Sequence, residues 1–216
     1  MGGVGLFDLD HRQVSVDYRQ DFLVSAMAEK SIRIVWPTTK TGSWAVDYSH
    51  HGNLDYHEQQ AAACYALQAT HWLIIGVEGR YLQLGTSDTS YQPQQWLAAA
   101  VRMHISPSHT TTIDLIAGTR PWDQSHPYRL HLQTTYRPST QWLTVVEVES
   151  EDRLRMRMGM EYLHADFLAL RAGLATHPMT FTCGIGLRYQ SLSFDLCIGS
   201  HPALGLTPQT SLTLWF

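Results

Sequence analysis

Hydrophobic and polar residues alternate along most of this 216-residue chain. In RLRMRMGMEY (153–162), arginine, glycine and glutamate occupy one set of alternate positions, whereas leucine, methionine and tyrosine occupy the other. The same split recurs in TFTCGIGLRY (180–189) and LSFDLCIGS (192–200). A period of two is typical of a β-strand with two different faces. The pattern therefore predicts an all-β protein.

The length and spacing of these segments indicate a particular all-β architecture. About 14 strands can be counted, most of roughly 9–12 residues, the length that crosses a bilayer when a strand is tilted. Tight turns alternate with longer connections, which are predicted at 50–55, 85–93, 118–127 and 201–208. We predict a transmembrane antiparallel β-barrel of outer-membrane type over 12–216, with a short plug remnant in 1–11.

Alternation alone also fits a soluble sandwich or lipocalin-like barrel, in which the apolar face points inward. Three features favour a membrane barrel with its polar face inward. A barrel of about 14 strands encloses more volume than one row of apolar side chains per strand can fill. The polar face holds charges of both signs with almost no lysine. Aromatic residues fall near strand ends, as membrane-interface girdles require. They are Trp44, Trp72, Trp142, Tyr162, Tyr189 and Phe216.

Composition narrows the function classes. Charged residues make up 16% of the chain, against about 25% in a typical soluble domain, and only two lysines accompany thirteen arginines. The net charge of −4 does not suggest nucleic-acid binding. No apolar run is long enough for a transmembrane helix. No signal peptide is recognisable in the numbered chain, so a leader is expected to be removed or unannotated. Cys64, Cys183 and Cys197 are expected to be free thiols, and no cofactor is expected.

A set of charged residues is predicted to share the inward face of the barrel. Glu147 and Glu149 can face Arg153, Arg155 and Arg157 on the next strand, where opposite charges stabilise a sheet. One interpretation is a selectivity lining for an anionic solute; the favoured one is a salt-bridge network that fills a blocked lumen. The predicted network comprises Asp17, Arg19, Asp47, Glu78, Arg80, Arg102, Glu147, Glu149, Arg155, Arg157, Arg171, Arg188 and Asp195. Arg33 and Arg129 are expected on the same inward face.

Several motifs resemble those of a known family. They are the F-L-x-L-R-A-G strand at 167–173, the G-x-G-L strand at 184–187 and the H-P-x-L-G loop at 201–205. Together with VSVDYRQDFLV (14–24) and GSWAVDYSHHGNLDYHEQQAAACYAL (42–67), they resemble the FadL-like outer-membrane proteins of Bacteroidota, the PorV/PorQ type associated with type IX secretion. The resemblance implies a 14-stranded barrel in the outer membrane, in contact with its lipid.

The resemblance also implies a role. We expect an accessory subunit of a protein secretion or assembly complex, which binds other outer-membrane or periplasmic envelope proteins and is not an enzyme. The longer loops 85–93 and 118–127 are the predicted partner-facing surface, with Tyr91, Trp122 and Tyr128. The alternative is a FadL-like transporter or channel for a small hydrophobic or anionic solute.

Two further sites are weaker hypotheses. The stretch SHHGNLDYHE (49–58) holds His50, His51, Asp55, His57 and Glu58, a donor set that could bind Zn²⁺ or Ni²⁺. A polar loop is the simpler interpretation, and no metal site is assigned. A hydrolase with its active site on the barrel wall would need a serine, a histidine and an acidic residue in catalytic geometry. The serine–histidine pairs at 200–201 and 108–109 are only sequence neighbours, so no catalytic residue is assigned.

Overall fold

The computed structural model describes residues 11–38, 42–87, 94–106, 110–119, 128–150 and 154–216. Within these ranges, only the backbone is described for 94, 96, 104–106, 110–119 and 128–129.

The described residues form fourteen β-strands, because the alternation of large apolar with small or polar side chains suits a two-faced sheet. The strands are β1 (Gln13–Gln20), β2 (Ala28–Thr38), β3 (Gly42–Gly52), β4 (Tyr56–Thr70), β5 (Leu73–Thr86), β6 (Gln94–Ser106), β7 (Thr110–Thr119), β8 (Tyr128–Arg137), β9 (Trp142–Ser150), β10 (Leu154–His164), β11 (Leu168–Ala175), β12 (Thr180–Tyr189), β13 (Leu192–His201) and β14 (Gly205–Trp215). Two 3-10 turns, Asp21–Leu23 and Ser25–Met27, separate β1 from β2. Neither of these described helical segments has the length or the apolar composition to cross a membrane.

Each strand pairs antiparallel with its neighbours in the chain, and β1 pairs with β14, so the described strands close into a barrel. The closing ladder runs from Gln13 opposite Trp215 to Arg19 opposite Gln209. Closure removes the free sheet edges that an open sheet would present for aggregation. The prediction of an all-β antiparallel architecture is confirmed.

Side-chain contacts reinforce the closure between β1 and β14. The ring of Phe216 meets the indole of Trp36 edge-on, with centroids 6.2 Å apart, and the guanidinium of Arg12 lies 4.1 Å from the Trp36 ring centroid. At the opposite end of the same strands, the backbone N–H of Phe22 donates to Thr207 Oγ1 at 3.2 Å. The first and last strands are therefore joined by more than their backbone hydrogen bonds.

The two faces of the wall differ in exposure. Large apolar side chains remain exposed at alternate positions, as Val16, Met158 and Leu212 do at 49%, 47% and 45%. The intervening positions hold small or polar side chains that are buried, such as Ser15 and Thr213. A closed sheet buries only the face that points inward, so the polar face lines the lumen and the apolar face forms the outer surface.

The barrel has two rims. The terminal rim, where β1 begins and β14 ends, carries described turns at 71–72, 138–141, 165–167 and 190–191. The loop rim, at the other end, carries described connections at 21–27, 53–55, 176–179 and 202–204. The described connections have two to four residues, except for the seven residues 21–27 on the loop rim.

Two of the longer loops predicted from the sequence are wrong in extent. β3 continues to Gly52 and β14 begins at Gly205, which reduces the loops predicted at 50–55 and 201–208 to three residues each. Both glycines adopt positive φ, 103° and 97°, a conformation that glycine reaches without steric cost and that lets the chain enter a tight turn. The predicted plug remnant in 1–11 lies outside the described residues except for its last residue. Residues 88–93 and 120–127, which make up most of the predicted loops 85–93 and 118–127, also lie outside them.

Candidate functional site

The structure places every charged residue of the predicted network on lumen-facing positions of the strands. The register brings many of them into adjacent rows, where a guanidinium on one strand can reach a carboxylate on the next. They fall on two parts of the wall, which we call the β1–β6 wall and the β8–β13 wall.

On the β1–β6 wall, ion pairs connect neighbouring strands. Arg33 on β2 binds Asp47 on β3 through its Nε, and Arg19 on β1 binds Glu29 on β2 at 2.7 Å. Arg33 is expected on the inward face from the sequence, whereas Glu29 is not among the predicted lumen charges. The alternation places both on the polar face, but only the pairing register shows that they meet the predicted charges.

Glu78 is the most deeply buried charge of the β1–β6 wall, with 3% of its surface exposed. Its carboxylate accepts a hydrogen bond from Arg80 Nε at 2.7 Å and lies 3.5 Å from the thiol of Cys64. Beside it, small apolar side chains from β2 to β6 form a buried cluster on the same lumen face. The cluster, called the apolar cluster below, comprises Val35, Ala45, Cys64, Ala66, Ile74 and Ala100.

On the β8–β13 wall, Arg157 binds both predicted glutamates of β9. Its Nη1 lies 3.2 Å from Glu147, and its Nη2 lies 3.0 Å from Glu149. Arg155 behaves differently, because its described hydrogen bond goes to the carbonyl of His177 in the turn after β11, at 3.2 Å. The predicted cross-strand pairing of β9 with β10 is thus present at Arg157.

A second group of charges lies across β10 to β13. Arg171 binds Glu161 at 2.7 Å and also binds Asp195 through Nη1, while Arg188 binds the other oxygen of Glu161 at 2.9 Å. The alternation places Glu161 on the polar face of β10, but Glu161 is not part of the predicted network. Its position four residues after Arg157 on the same strand face is a signal that could have found it.

His131 on β8 is a further lumen residue that the sequence analysis did not single out. Its side chain is buried, and its Nε2 lies 3.8 Å from Glu147. It also stands opposite Glu149 in the register. His131 is two residues before Gln133 on β8, so both lie on the polar face. The closeness of His131 to two carboxylates follows only from strand pairing.

A recess opens in the β8–β13 wall between these groups of charges. Its volume is about 380 Å³. Gly159 and Gly173 stand opposite each other in the register and form its floor. The lumen-facing side chains around them are Leu143, Val145, Glu147, Arg157, Glu161, Arg171, Ala175, Thr182 and Cys197. The recess therefore has a bare floor and charged ends.

The predicted interface aromatics gather on the outer surface at the terminal rim. Trp44 contacts Tyr65 with ring centroids 4.6 Å apart, and Trp142 contacts Tyr162 at 4.8 Å. Trp72, Tyr189 and Phe216 are exposed on the same rim. Amphipathic rings in such a band suit the boundary between lipid and water.

The weaker hypotheses do not gain support from the structure. His50 and His57 lie on the outer face, with parallel rings whose centroids are 6.0 Å apart. His51 and Glu58 stand opposite each other in the strand register and lie on the lumen face. Among the described residues, no group of three or more potential ligands could hold a metal ion. The pair at 200–201 likewise points to opposite faces of β13, and the pair at 108–109 lies outside the described residues.

The predicted partner-facing residues cannot be placed as a surface. Tyr91 and Trp122 lie outside the described residues, and Tyr128 is described only by its backbone, as the first residue of β8. Their role as a partner-binding surface stays a prediction.

No protein-family model matches the sequence, and no curated protein matches it. Solved structures match over nearly the whole chain. The outer membrane protein Omp33 of Acinetobacter baumannii has a TM-score of 0.60 and 11% identity, covering 95% of this chain and 97% of that one. KdgM porin has a TM-score of 0.54 and 6% identity, covering 94% and 99%. A variant of the Rh. blastica porin has a TM-score of 0.52 and 6% identity, covering 95% and 99%.

At such low identity, these similarities show the fold alone. The chain has a porin-like antiparallel β-barrel fold. A further structure that it resembles is KdgM porin in complex with a disordered oligogalacturonate. None of these proteins tests the resemblance to the FadL-like PorV/PorQ type, which stays a prediction.

Proposed function

We propose that this protein is an outer-membrane channel for small water-soluble solutes. The observation that carries the proposal is the inverted wall: exposed apolar side chains cover the outside of a barrel whose inside is lined by charges. An outer surface of this kind is unfavourable in water, where contiguous apolar patches of a monomer rarely exceed a few hundred Å². In a bilayer it is the expected arrangement.

The fold supports the same proposal independently. The chain resembles three porin-type structures over at least 94% of its length. Similarity at these identities establishes no activity by itself, but it makes the channel the better supported of the two functions expected from the sequence. No described contact favours the accessory role in a secretion complex.

The described charges favour a channel without strong preference for anions or for cations. Arg157 and Arg171 each bind two carboxylates, and Glu161 binds two guanidiniums. A passing ion therefore meets both signs at close range, so the attraction from one group is offset by repulsion from its partner. KdgM porin is found with an acidic sugar polymer; for this chain we infer small solutes near neutrality.

Electrical recording from purified protein in planar lipid bilayers tests the proposal. We expect stepwise conductance in potassium chloride, and a reversal potential near zero across a tenfold salt gradient. A folded protein that gives no conductance steps would overturn the channel, and a strongly displaced reversal potential would overturn the absence of charge preference.

Two neighbouring residues of β14 provide a matched pair of variants. Ser211 faces the lumen and Leu212 faces outward. Ser211→Trp places a large ring in the lumen and should lower the conductance, whereas Leu212→Trp should leave it unchanged. Equal effects of the two substitutions would show that current does not pass through the lumen.

A further inference from the structure

The recess over Gly159 has the composition of a binding site within the lumen. We propose that it binds a small zwitterion with an apolar body, of the class of α-amino acids with an aliphatic side chain. The inference deepens the proposed function and rests on it, because the solute must enter the lumen to reach the recess.

The shape of the recess follows from the glycines of β10 and β11. A Cβ added at Gly159 would have no atom nearer than the backbone oxygen of Ala172, at 4.0 Å. The position is therefore open space above bare backbone. Gly173 differs, because a Cβ there would come within 2.5 Å of Thr182 Oγ1. A volume of about 380 Å³ lies at the lower end of the ~300–1,000 Å³ found for ligand pockets. The recess thus suits a small solute.

The ends of the recess each carry both signs of charge. Arg157 and Glu161 stand two residues before and after Gly159 on β10. At one end Arg157 lies 3.2 Å from Glu147, and at the other Arg171 lies 2.7 Å from Glu161. The formal charge of these four side chains sums to zero. Between the ends, the lining consists of glycine and small or aliphatic side chains.

The ion pairs leave hydrogen-bonding capacity at these ends. A guanidinium has five N–H donors, and a carboxylate has about four acceptor sites. The ion pairs of Arg171 to described residues use its Nε and Nη1. The Arg171 side chain remains 33% exposed. A solute can therefore bind beside the existing pairs without breaking them.

A zwitterion matches this arrangement better than a solute of one charge. An α-amino acid carries its carboxylate and its ammonium on the same carbon atom, so both can pair at one end of the recess. A lone carboxylate or a lone ammonium would gain one partner and be repelled by the adjacent like charge. The aliphatic side chain would lie along the glycine floor and Val145, where it loses contact with water.

Calorimetric titration of the detergent-solubilised full chain with L-leucine tests the inference. The comparison solutes are 4-methylpentanoate, which lacks the ammonium, and 3-methylbutylamine, which lacks the carboxylate. We expect saturable binding of leucine, and binding of each analogue weaker by about tenfold, the effect of losing one charged hydrogen bond. Saturable binding of either analogue as tight as that of leucine would overturn the zwitterion class.

The matched variants are Gly159→Val, which fills the recess, and Gly199→Val, which adds the same volume on β13. Gly199 also faces the lumen but does not line the recess, and a Cβ there would make only ordinary contacts, the nearest at 3.6 Å to Thr182 Cγ2. Gly159→Val should abolish leucine binding, and Gly199→Val should keep it. Gly159→Ala is a smaller change and should weaken leucine binding by a few-fold. It tests the site even if the valine variant does not fold.

The outcomes separate this inference from the proposed function. Conductance without saturable leucine binding would overturn the site and leave the channel standing. Leucine binding that survives in Gly159→Val would also overturn the site. Absence of conductance in folded protein would overturn the proposed channel. The calorimetric titration would then still show whether the recess binds leucine.

Discussion

The two parts of the lumen wall use the same strand geometry for different purposes. On the β1–β6 wall, small apolar residues pack into a buried cluster around the buried carboxylate of Glu78. On the β8–β13 wall, glycines leave a recess, and the charges of Arg157 and Arg171 remain about one-third exposed. The first arrangement resembles the core of a soluble protein, whereas the second resembles a surface turned inward.

The difference shows how one alternating pattern can produce both a rigid wall and an accessible one. Alanine, valine and isoleucine at inward positions fill space and exclude water, so a charge among them must be paired. Glycine at the same kind of position leaves the backbone bare and lets water reach the neighbouring charges. Stability should therefore depend more on the β1–β6 wall, and solute contact more on the β8–β13 wall.

Removal of the Glu78 carboxylate should have the largest effect on stability. Glu78→Ala takes away a buried acceptor that Arg80 binds at 2.7 Å, and breaking a buried pair in this way costs about 3–5 kcal/mol. The free energy of unfolding, measured by urea titration in lipid vesicles, should fall by that amount. Glu147→Ala on the other wall, where the side chain is 27% exposed, should cost about 1 kcal/mol or less. Equal costs would remove the distinction between the walls.

An arginine on the outer face should have the next largest effect. Met158→Arg puts a charge on the surface that we assign to lipid and should lower the free energy of unfolding by about 2–4 kcal/mol. Gly159→Arg, one residue further on the lumen face, should act only through packing and cost less. The same vesicle folding assay measures both, and equal tolerance of the two substitutions would contradict the assignment of faces.

Replacing a small lumen residue by a larger one should have different effects on the β1–β6 wall and on the β8–β13 wall. Ala66 is fully buried in the apolar cluster, so Ala66→Leu should overpack it and destabilise the barrel by about 1–3 kcal/mol. Gly159→Leu extends into the recess and should change stability by no more than about 0.5 kcal/mol. A larger cost at Gly159 than at Ala66, in urea titrations of both variants, would mean that the recess is closed in solution.

Removal of the Arg157 charge should change stability only slightly. Arg157→Gln removes a partly exposed ion-pair partner and should cost about 0.2–1 kcal/mol. The lumen loses one positive charge, so the reversal potential in a salt gradient should shift toward potassium selectivity. Arg80→Gln, on the β1–β6 wall, should lower the free energy of unfolding more than Arg157→Gln does and should shift the reversal potential less. The reverse ranking would show that ions pass closer to the β1–β6 wall.

Much of the fold could be predicted from local sequence. The strand faces follow from period-two alternation, since successive side chains of a strand point to opposite sides. Hence the charges of the predicted network lie inward, and Trp142 and Phe216 lie outward at the terminal rim. Loop extent was less predictable, because Gly52 and Gly205 let the strands continue closer to the turn than polar composition suggests.

Long-range pairing decided the candidate site. The sequence by itself determined which side chains share a face, because that depends only on residues two apart on one strand. It could not determine that Glu161 joins Arg171 to Arg188, that Gly159 stands opposite Gly173, or that Val35 and Ala100 belong to one buried cluster. These contacts depend on the register between strands and on closure of the sheet, where a shift by one residue would turn every side chain of a strand to the other face.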